Sequence, residues 1–152
     1  MEFIKAGPEH LDEAEHIVHQ SIRVTYGLHY PPEVVDFFLS KIHTRENIRR
    51  DIENHSLWMI RGDEGFVGTG CINGNMLSRV YILPEAQGKG YGTGIMDFLE
   101  QTASGTCTSV RLSPSLPAVE FYKKRGYVLA EHSECTLEHG VTLVHDMMEK
   151  QL

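Results

Sequence analysis

A chain of 152 residues, 41% hydrophobic and 23% charged, has the size and composition of one water-soluble globular domain, and we expect residues 1–152 to form it. Its formal net charge of −7 disfavours a nucleic-acid partner, and no apolar run is long enough to span a membrane. Three cysteines without metal-ligand spacing, and an N-terminus without signal-peptide features, predict reduced thiols, no bound metal and a cytoplasmic location.

The N-terminal third of the chain is predicted to contain one strand and three helices. Apolar residues recur at helical spacing from Pro8 to Tyr26, and Gly27 follows as the predicted end of that helix. Thr44 is a predicted N-cap, because its hydroxyl can accept a hydrogen bond from the first turn of a following helix. The predicted elements are a strand at 2–5 and helices at 8–26, 31–39 and 45–53.

A β-meander is predicted next, followed by alternating helices and strands. The turn signal Gly62–Gly65 and the dipeptide Asn73-Gly74 separate three apolar segments. The predicted strands of the meander are 57–60, 66–72 and a third that ends at Leu83. Beyond it we expect a helix at 95–103, a strand at 108–113, a short helix ending at Gly126, and strands at 128–137 and 141–148.

A glycine-rich stretch at residues 87–94 lies between a predicted strand and a predicted helix. Glycines let the backbone approach a ligand, and the unpaired amides at a helix start favour an anion such as a pyrophosphate. The stretch lacks the Gly-Lys-Ser/Thr of a nucleoside-triphosphate loop, and segment 109–113 lacks the acid of a dinucleotide fold. A different phosphate-bearing cofactor is therefore predicted.

The spacing of Gln87, Gly90 and Gly92 gives the pattern Gln-x-x-Gly-x-Gly, preceded by Val-x-Ile-x-Pro and followed by Phe-Tyr and a Gly-Tyr stop. From Leu77 to Tyr127 this order of motifs resembles the GNAT superfamily of acyl-CoA-dependent N-acyltransferases. The resemblance implies an α/β fold, with a central mixed, mostly antiparallel sheet of about six or seven strands flanked by helices. It also implies that the sheet splays between the fourth and fifth strands.

The resemblance implies acetyl-CoA as co-substrate. The pantetheine arm is expected to pair with one strand edge, and the pyrophosphate with the amides of the glycine-rich stretch. Ser115 stands where many family members have an asparagine that touches the pantetheine, so this contact is expected to differ. The residues expected to bind the cofactor are Val80, Tyr81, Ile82, Gln87, Gly88, Lys89, Gly90, Tyr91, Gly92, Thr93 and Ser115.

By the same resemblance, Tyr122 is the expected general acid, donating a proton to the coenzyme A sulfur as it leaves. The alternative is that Tyr122 only packs in the core. The family's glutamate bases would fall at Met76 and Val110, and neither side chain can take a proton. His29, Tyr30 and Glu33 are candidates for the base, which stays unassigned.

The predicted function is the direct transfer of an acetyl group from acetyl-CoA to a primary amine in a ternary complex, with a small molecule as the expected acceptor. The alternatives are acetylation of a protein or peptide amine, transfer of a longer acyl group, and a non-catalytic CoA-binding module of the same fold. The oligomeric state stays open between a monomer and a homodimer.

Overall fold

A seven-stranded sheet lies at the centre of the computed structural model, which describes all 152 residues. The structure contains nine strands, and all except the seventh and eighth belong to this sheet. They are β1 (Glu2–Lys5), β2 (Leu57–Gly62), β3 (Gly65–Asn73), β4 (Met76–Ile82), β5 (Ser109–Leu112), β6 (Val128–Glu131), β7 (Glu134–Thr136), β8 (Thr142–Val144) and β9 (Met147–Gln151). The helices are α1 (Leu11–Thr25), α2 (Pro32–Phe37), α3 (Arg45–Glu53), α4 (Tyr91–Ser104) and α5 (Val119–Lys124). The strand order is β1-β2-β3-β4-β5-β9-β6, and only the β4–β5 pair is parallel. The predicted fold class is confirmed.

Helices cover both faces of the sheet, and each face has its own core. The apolar stripe of α1 packs with α3 on one face, as its helical spacing predicts. On the other face α4 packs on β3, where a β-carbon at Gly70 would lie 2.7 Å from the Ile95 side chain. This glycine therefore lets helix and strand approach closely. None of the helices is long and apolar enough to cross a membrane.

The helix ends differ in detail from the prediction. Thr44 does cap α3, since its hydroxyl accepts a hydrogen bond from the Asn47 amide at 3.1 Å. The helix predicted from Pro8 begins with a 3₁₀ turn and becomes α-helical at Leu11. Gly27 does not end it, because the chain continues from Thr25 into a second 3₁₀ turn. Carbonyls at a helix end can be satisfied by 3₁₀ bonds as well as by a glycine cap.

The C-terminal tail contains four strands where two were predicted, at 128–137 and 141–148. Strands β6 and β9 join the main sheet, whereas β7 and β8 form a separate two-stranded sheet, and residues 134–145 are called here the hairpin. The chain leaves the main sheet at His132–Ser133 and returns to it at His145–Asp146. Strand propensity predicts extended backbone but not the partner with which it pairs, so the sequence pattern missed both breaks.

The sheet opens between β4 and β5 because β4 bends away from its neighbour. The register of β3 and β4 shifts between Thr69 and Cys71, and in the resulting bulge of β4 Arg79 has a φ of 47°. The Thr69 hydroxyl donates to the Arg79 carbonyl at 2.7 Å. Strands β4 and β5 are then paired only at Met76 and Arg111. Beyond that pair the two strands diverge, and the predicted splay is present.

Candidate active site

A cavity of about 660 Å³ lies at the wedge between β4 and β5. One wall is β4 together with the segment that follows β5, and the opposite wall is the C-terminal end of α1 with the turns after it. The hairpin contributes Cys135, Leu143, Val144 and His145. Of the 29 lining residues 17 are hydrophobic, and none is an aspartate or glutamate. The cavity is therefore apolar and carries no negative charge.

The glycine-rich loop presents unpaired backbone amides at the start of α4. Gly88 and Gly90 adopt left-handed conformations, with φ of 76° and 89°, which glycine tolerates without strain. None of the amides from Gly88 to Thr93 donates to a backbone carbonyl, and the first that does is Gly94, to Gly90 at 3.0 Å. Together with the dipole of the 14-residue helix, these amides form an anion site of the kind that binds phosphates.

The structure brings seven of the predicted site residues to the cavity wall. They are Val80, Tyr81, Ile82, Gln87, Gly92, Ser115 and Tyr122. The other five predicted residues do not themselves line the cavity. They lie in the glycine-rich loop and the first turn of α4, next to Gln87 and Gly92, and are Gly88, Lys89, Gly90, Tyr91 and Thr93. The Gln87 side chain donates to the Ile82 carbonyl at 3.1 Å and to the Thr25 hydroxyl at 3.4 Å. It therefore braces the loop against β4 and α1.

Tyr122 is buried and its side chain lines the cavity. Its hydroxyl makes no hydrogen bond within the chain. Burial, with a smaller contribution from Tyr26, raises the pKa of Tyr122 above its ordinary value. The phenol consequently stays protonated at neutral pH, with its hydrogen free for a ligand. Its ring packs edge-on against Phe121 and Tyr127, so its position is held on two sides.

The three candidate bases suggested by the sequence are not brought together. His29 and Glu33 are exposed and do not line the cavity. Tyr30 does, but its hydroxyl accepts a hydrogen bond from the Leu116 amide at 2.7 Å, and burial raises its pKa. Of the positions where the family's glutamates would fall, Met76 lines the cavity and Val110 is buried in the core.

A polar network along the cavity, in which every member except Asp51 contributes to the lining, was missed by sequence reasoning. His43 accepts a hydrogen bond at Nδ1 from Arg79 Nη1 (2.6 Å), and Arg79 Nε donates to Asp51 at 2.6 Å. His43 Nε2 lies 3.1 Å from the Tyr81 hydroxyl, which lies 3.0 Å from that of Tyr26. Burial and, to a lesser extent, the Arg79 charge lower the pKa of His43 to about 3. These residues share no sequence motif, so no sequence signal indicated that they would meet.

No group of three or more histidine, cysteine, aspartate or glutamate side chains is arranged to hold a metal ion.

Solved structures similar to this chain share its fold. A GCN5-related N-acetyltransferase from Rhodopseudomonas palustris is 22% identical with a TM-score of 0.89, covering 99% of this chain and 95% of its own. The PaiA N-acetyltransferase from Thermoplasma acidophilum, solved with coenzyme A, is 20% identical with a TM-score of 0.74, covering 99% and 98%. The putative acetyltransferase YncA from Salmonella typhimurium, solved with acetyl-CoA, is 14% identical with a TM-score of 0.74, covering 100% and 94%. No curated protein sequence matches the chain.

A family model described as an acetyltransferase (GNAT) domain matches residues 27–152. The match includes β4, the glycine-rich loop, α4, α5 and the hairpin, and it leaves out α1, whose C-terminal end contributes to the opposite wall of the cavity. Because this match covers most of the chain and agrees with the fold, the chain belongs to the GNAT family of acyl-CoA-dependent acetyltransferases.

Proposed function

We propose that this protein transfers an acetyl group from acetyl-CoA directly to the primary amine of a small molecule, within a ternary complex and as one domain of residues 1–152. The observation that carries the proposal is the continuity of the cavity. It runs from the open edge of β4, beside the unpaired amides of residues 88–93, to an unpartnered phenol and to apolar side chains of the opposite wall. A thioester held along that edge would therefore meet an amine inside one enclosure.

The cofactor-binding role is assigned to β4 and the glycine-rich loop. The edge of β4 that faces β5 has no partner strand beyond Met76, so the amide groups of a pantetheine arm can pair with residues Val80–Ile82. The amides of Gly88–Thr93 would bind the pyrophosphate. The relatives from Thermoplasma acidophilum and Salmonella typhimurium were solved with coenzyme A and acetyl-CoA, which supports coenzyme A as the ligand.

The catalytic role is assigned to Tyr122. The phenol is protonated at neutral pH, and its unpartnered hydroxyl in the cavity can give its proton to the leaving sulfur as negative charge develops there. The amine nitrogen bonds to the carbonyl carbon, the carbon–sulfur bond breaks, and the sulfur takes the bonding electrons and the proton. The proton released by the new amide nitrogen restores the phenol through water.

A small-molecule acceptor is favoured over a protein amine because a hydrogen bond joins the two opposite walls of the cavity. The Tyr30 hydroxyl joins the turn after α1 to the Leu116 amide after β5, and the hairpin adds a further wall. A protein substrate would have to reach past both. A peptide amine is the second candidate and enters the test below.

Thiol release from acetyl-CoA with a panel of primary amines, one lysine peptide included, tests the proposal. We expect release with at least one small amine, and a loss of about 10²-fold in kcat for Tyr122→Phe with little change in CoA affinity. The ring of the variant still fills its place, so its fold should be kept. CoA binding without thiol release for any amine would identify a non-catalytic CoA-binding module instead.

We also propose that the protein forms a homodimer through β6. This strand is at the edge of the sheet, all four of its residues are exposed, and Val128 and Leu129 are 65% and 59% exposed. An unpaired edge with apolar side chains favours pairing with a second copy. Sedimentation velocity should give a dimer that Leu129→Lys dissociates, and a monomeric parent protein would contradict this proposal.

A further inference from the structure

The acceptor side of the cavity is a wall of aromatic and aliphatic side chains. We call this surface the acceptor wall, and it comprises Tyr26, Tyr30, Phe37, Phe38, Leu143 and Val144. Tyr26, Tyr30 and Phe38 pack against one another, with ring centroids 5.0–5.7 Å apart. Rings in such mutual contact leave no gap for an ion between them. They form a continuous apolar surface rather than a cage for a cation, in which the rings surround the ion.

The cavity offers no counter-charge to an ammonium group. No aspartate or glutamate lines it, and the charged side chain that does is Arg79, whose Nε donates to Asp51 at 2.6 Å. Asp51 is turned to that guanidinium behind β4 and is not part of the lining. A protonated amine would lose its hydration here and gain no anion in return, so desolvation favours the neutral amine.

The polar network of Asp51, Arg79, His43, Tyr81 and Tyr26 cannot accept the proton of an amine. Arginine only donates hydrogen bonds, so the Arg79 contact requires an unprotonated Nδ1 on His43, and the hydrogen-bond network assigns its proton to Nε2. That proton points to the Tyr81 oxygen, and the Tyr81 hydroxyl in turn donates to Tyr26. From Arg79 through His43 and Tyr81, each hydrogen bond is therefore donated towards Tyr26, whose own hydroxyl hydrogen is left to donate.

Only the hairpin adds other titratable groups to the lining, Cys135 and His145, while Tyr30 and Tyr122 are phenols. His145 is exposed and uses its backbone amide to bond the Ser133 carbonyl at 2.8 Å. It is thus the one imidazole of the lining outside the network, and it is the side chain to test as a base.

We propose that the acceptor is an amine carrying an aromatic or branched aliphatic group, and that it binds in its neutral form. The apolar part would lie on the acceptor wall, and its nitrogen would face the thioester. The proposal rests on acetyl transfer as the function of the cavity. It predicts that lowering the basicity of an amine without changing its shape extends activity to lower pH, because more of the neutral form is present.

The experiment compares 2-phenylethylamine with 2,2-difluoro-2-phenylethylamine, which has nearly the same shape and a less basic nitrogen. Spermidine and a lysine peptide serve as cationic acceptors, and thiol release is followed across pH. We expect log kcat/KM for each aromatic amine to rise with pH up to that amine's own pKa. The rising parts of the two pH profiles, called here the pH limbs, should be displaced along the pH axis by the difference between the two measured amine pKa values. Spermidine and the peptide should be at least 10²-fold poorer.

Two variant pairs sharpen the test. Phe37 lines the cavity without packing against either core, so its replacement should leave the fold intact. Phe37→Glu should raise kcat/KM for spermidine about 10-fold or more over Phe37→Gln, which has the same shape without the charge. His145→Gln should leave both pH limbs where they are.

If both aromatic amines showed the same pH limb, and His145→Gln abolished it, the proposal would be overturned in favour of a histidine base. Spermidine or the peptide as the best acceptor would overturn it as well, as would equal spermidine activity in the two Phe37 variants. In each of these cases acetyl transfer itself would stand. No thiol release with any amine would instead remove the proposed function, and this proposal with it.

Discussion

Individual glycines of the loop have separate structural requirements. Gly88 and Gly90 adopt positive φ, so a side chain at either would strain the backbone even though the space around them is open. Gly92 lies within α4, where a β-carbon would lie 3.8 Å from the Phe121 ring, an ordinary contact. Gly92 is thus the position at which charge can be added near the proposed pyrophosphate site without disturbing the turn.

A pair of substitutions at Gly92 tests the anion site. Gly92→Asp should lower CoA affinity by at least 10-fold relative to Gly92→Asn, because the two side chains differ in charge and hardly in shape. Thermal stability should move the other way, since a carboxylate in the first turn of a helix is stabilising by about 0.3–1 kcal/mol. Calorimetry and melting curves measure both. Equal CoA affinity in the two variants would show that no phosphate lies there.

Among the structural elements, the hairpin depends on contacts at its base. His132 follows β6, and its Nδ1 lies 2.6 Å from Asp146 and its Nε2 3.1 Å from Glu134. The two carboxylates thus join the points where the chain leaves and re-enters the main sheet. Hydrogen bonds with Glu134 and then Asp146 raise the pKa of His132 above its ordinary value of 6.5. The hairpin carries one wall of the cavity, so its order bears on acceptor binding.

The order of the hairpin is expected to depend on pH. Because the folded pKa of His132 is raised, its stabilisation is complete below pH 6.5 and is lost as pH rises through the folded pKa. Hydrogen exchange at the Leu137 and His145 amides, corrected for intrinsic rates, should show protection falling over that interval. His132→Gln should abolish the dependence. Protection that stays constant from pH 6 to pH 8.5 in the parent protein would contradict this expectation.

At the scale of the whole molecule, Glu100 connects the glycine-loop helix to the C-terminal half of the sheet. Its carboxylate accepts hydrogen bonds from Arg125 at 2.8 Å, the Tyr127 hydroxyl at 2.9 Å and Lys150 at 3.0 Å. Burial alone would raise the pKa of Glu100, but these hydrogen bonds outweigh it and hold the pKa below 4.5. The position of α4, and with it the anion site at its start, depends on this cluster.

Removing the Glu100 charge should destabilise the protein. Glu100→Gln leaves the mostly buried Arg125 with only its exposed partner Asp97, and should cost about 3 kcal/mol of unfolding free energy. Asp97→Asn, the control at the exposed partner, should cost under about 1 kcal/mol. The Glu100 contribution is present above pH 4.5 and is lost as pH falls through its lowered pKa. Urea titrations at pH 7 and pH 4 measure these differences, and similar losses in both variants would disprove the assignment.

The parts of the fold that could be predicted are those that depend on residues close together in the sequence. The α1 stripe, the Thr44 cap and the glycine-rich turn before α4 were readable because each depends on neighbours within a few residues. The tail strands were not, because the residue types of 128–137 and 141–148 favour extended backbone without marking the breaks, and only packing decides which part pairs with β9 and which part forms the hairpin.

The sequence by itself determined the family, the mostly antiparallel fold with its splay, and the candidate cofactor loop, because short motifs in fixed order carry that information. Cofactor and catalytic roles for those residues remain predictions. Only the tertiary structure decided that no aspartate or glutamate side chain lines the cavity. It also decided that five polar side chains form one hydrogen-bonded network, namely Asp51, Arg79, His43, Tyr81 and Tyr26. Residues separated by tens of positions meet through the bulge in β4 and the turn after α2, and no local pattern encodes such a meeting.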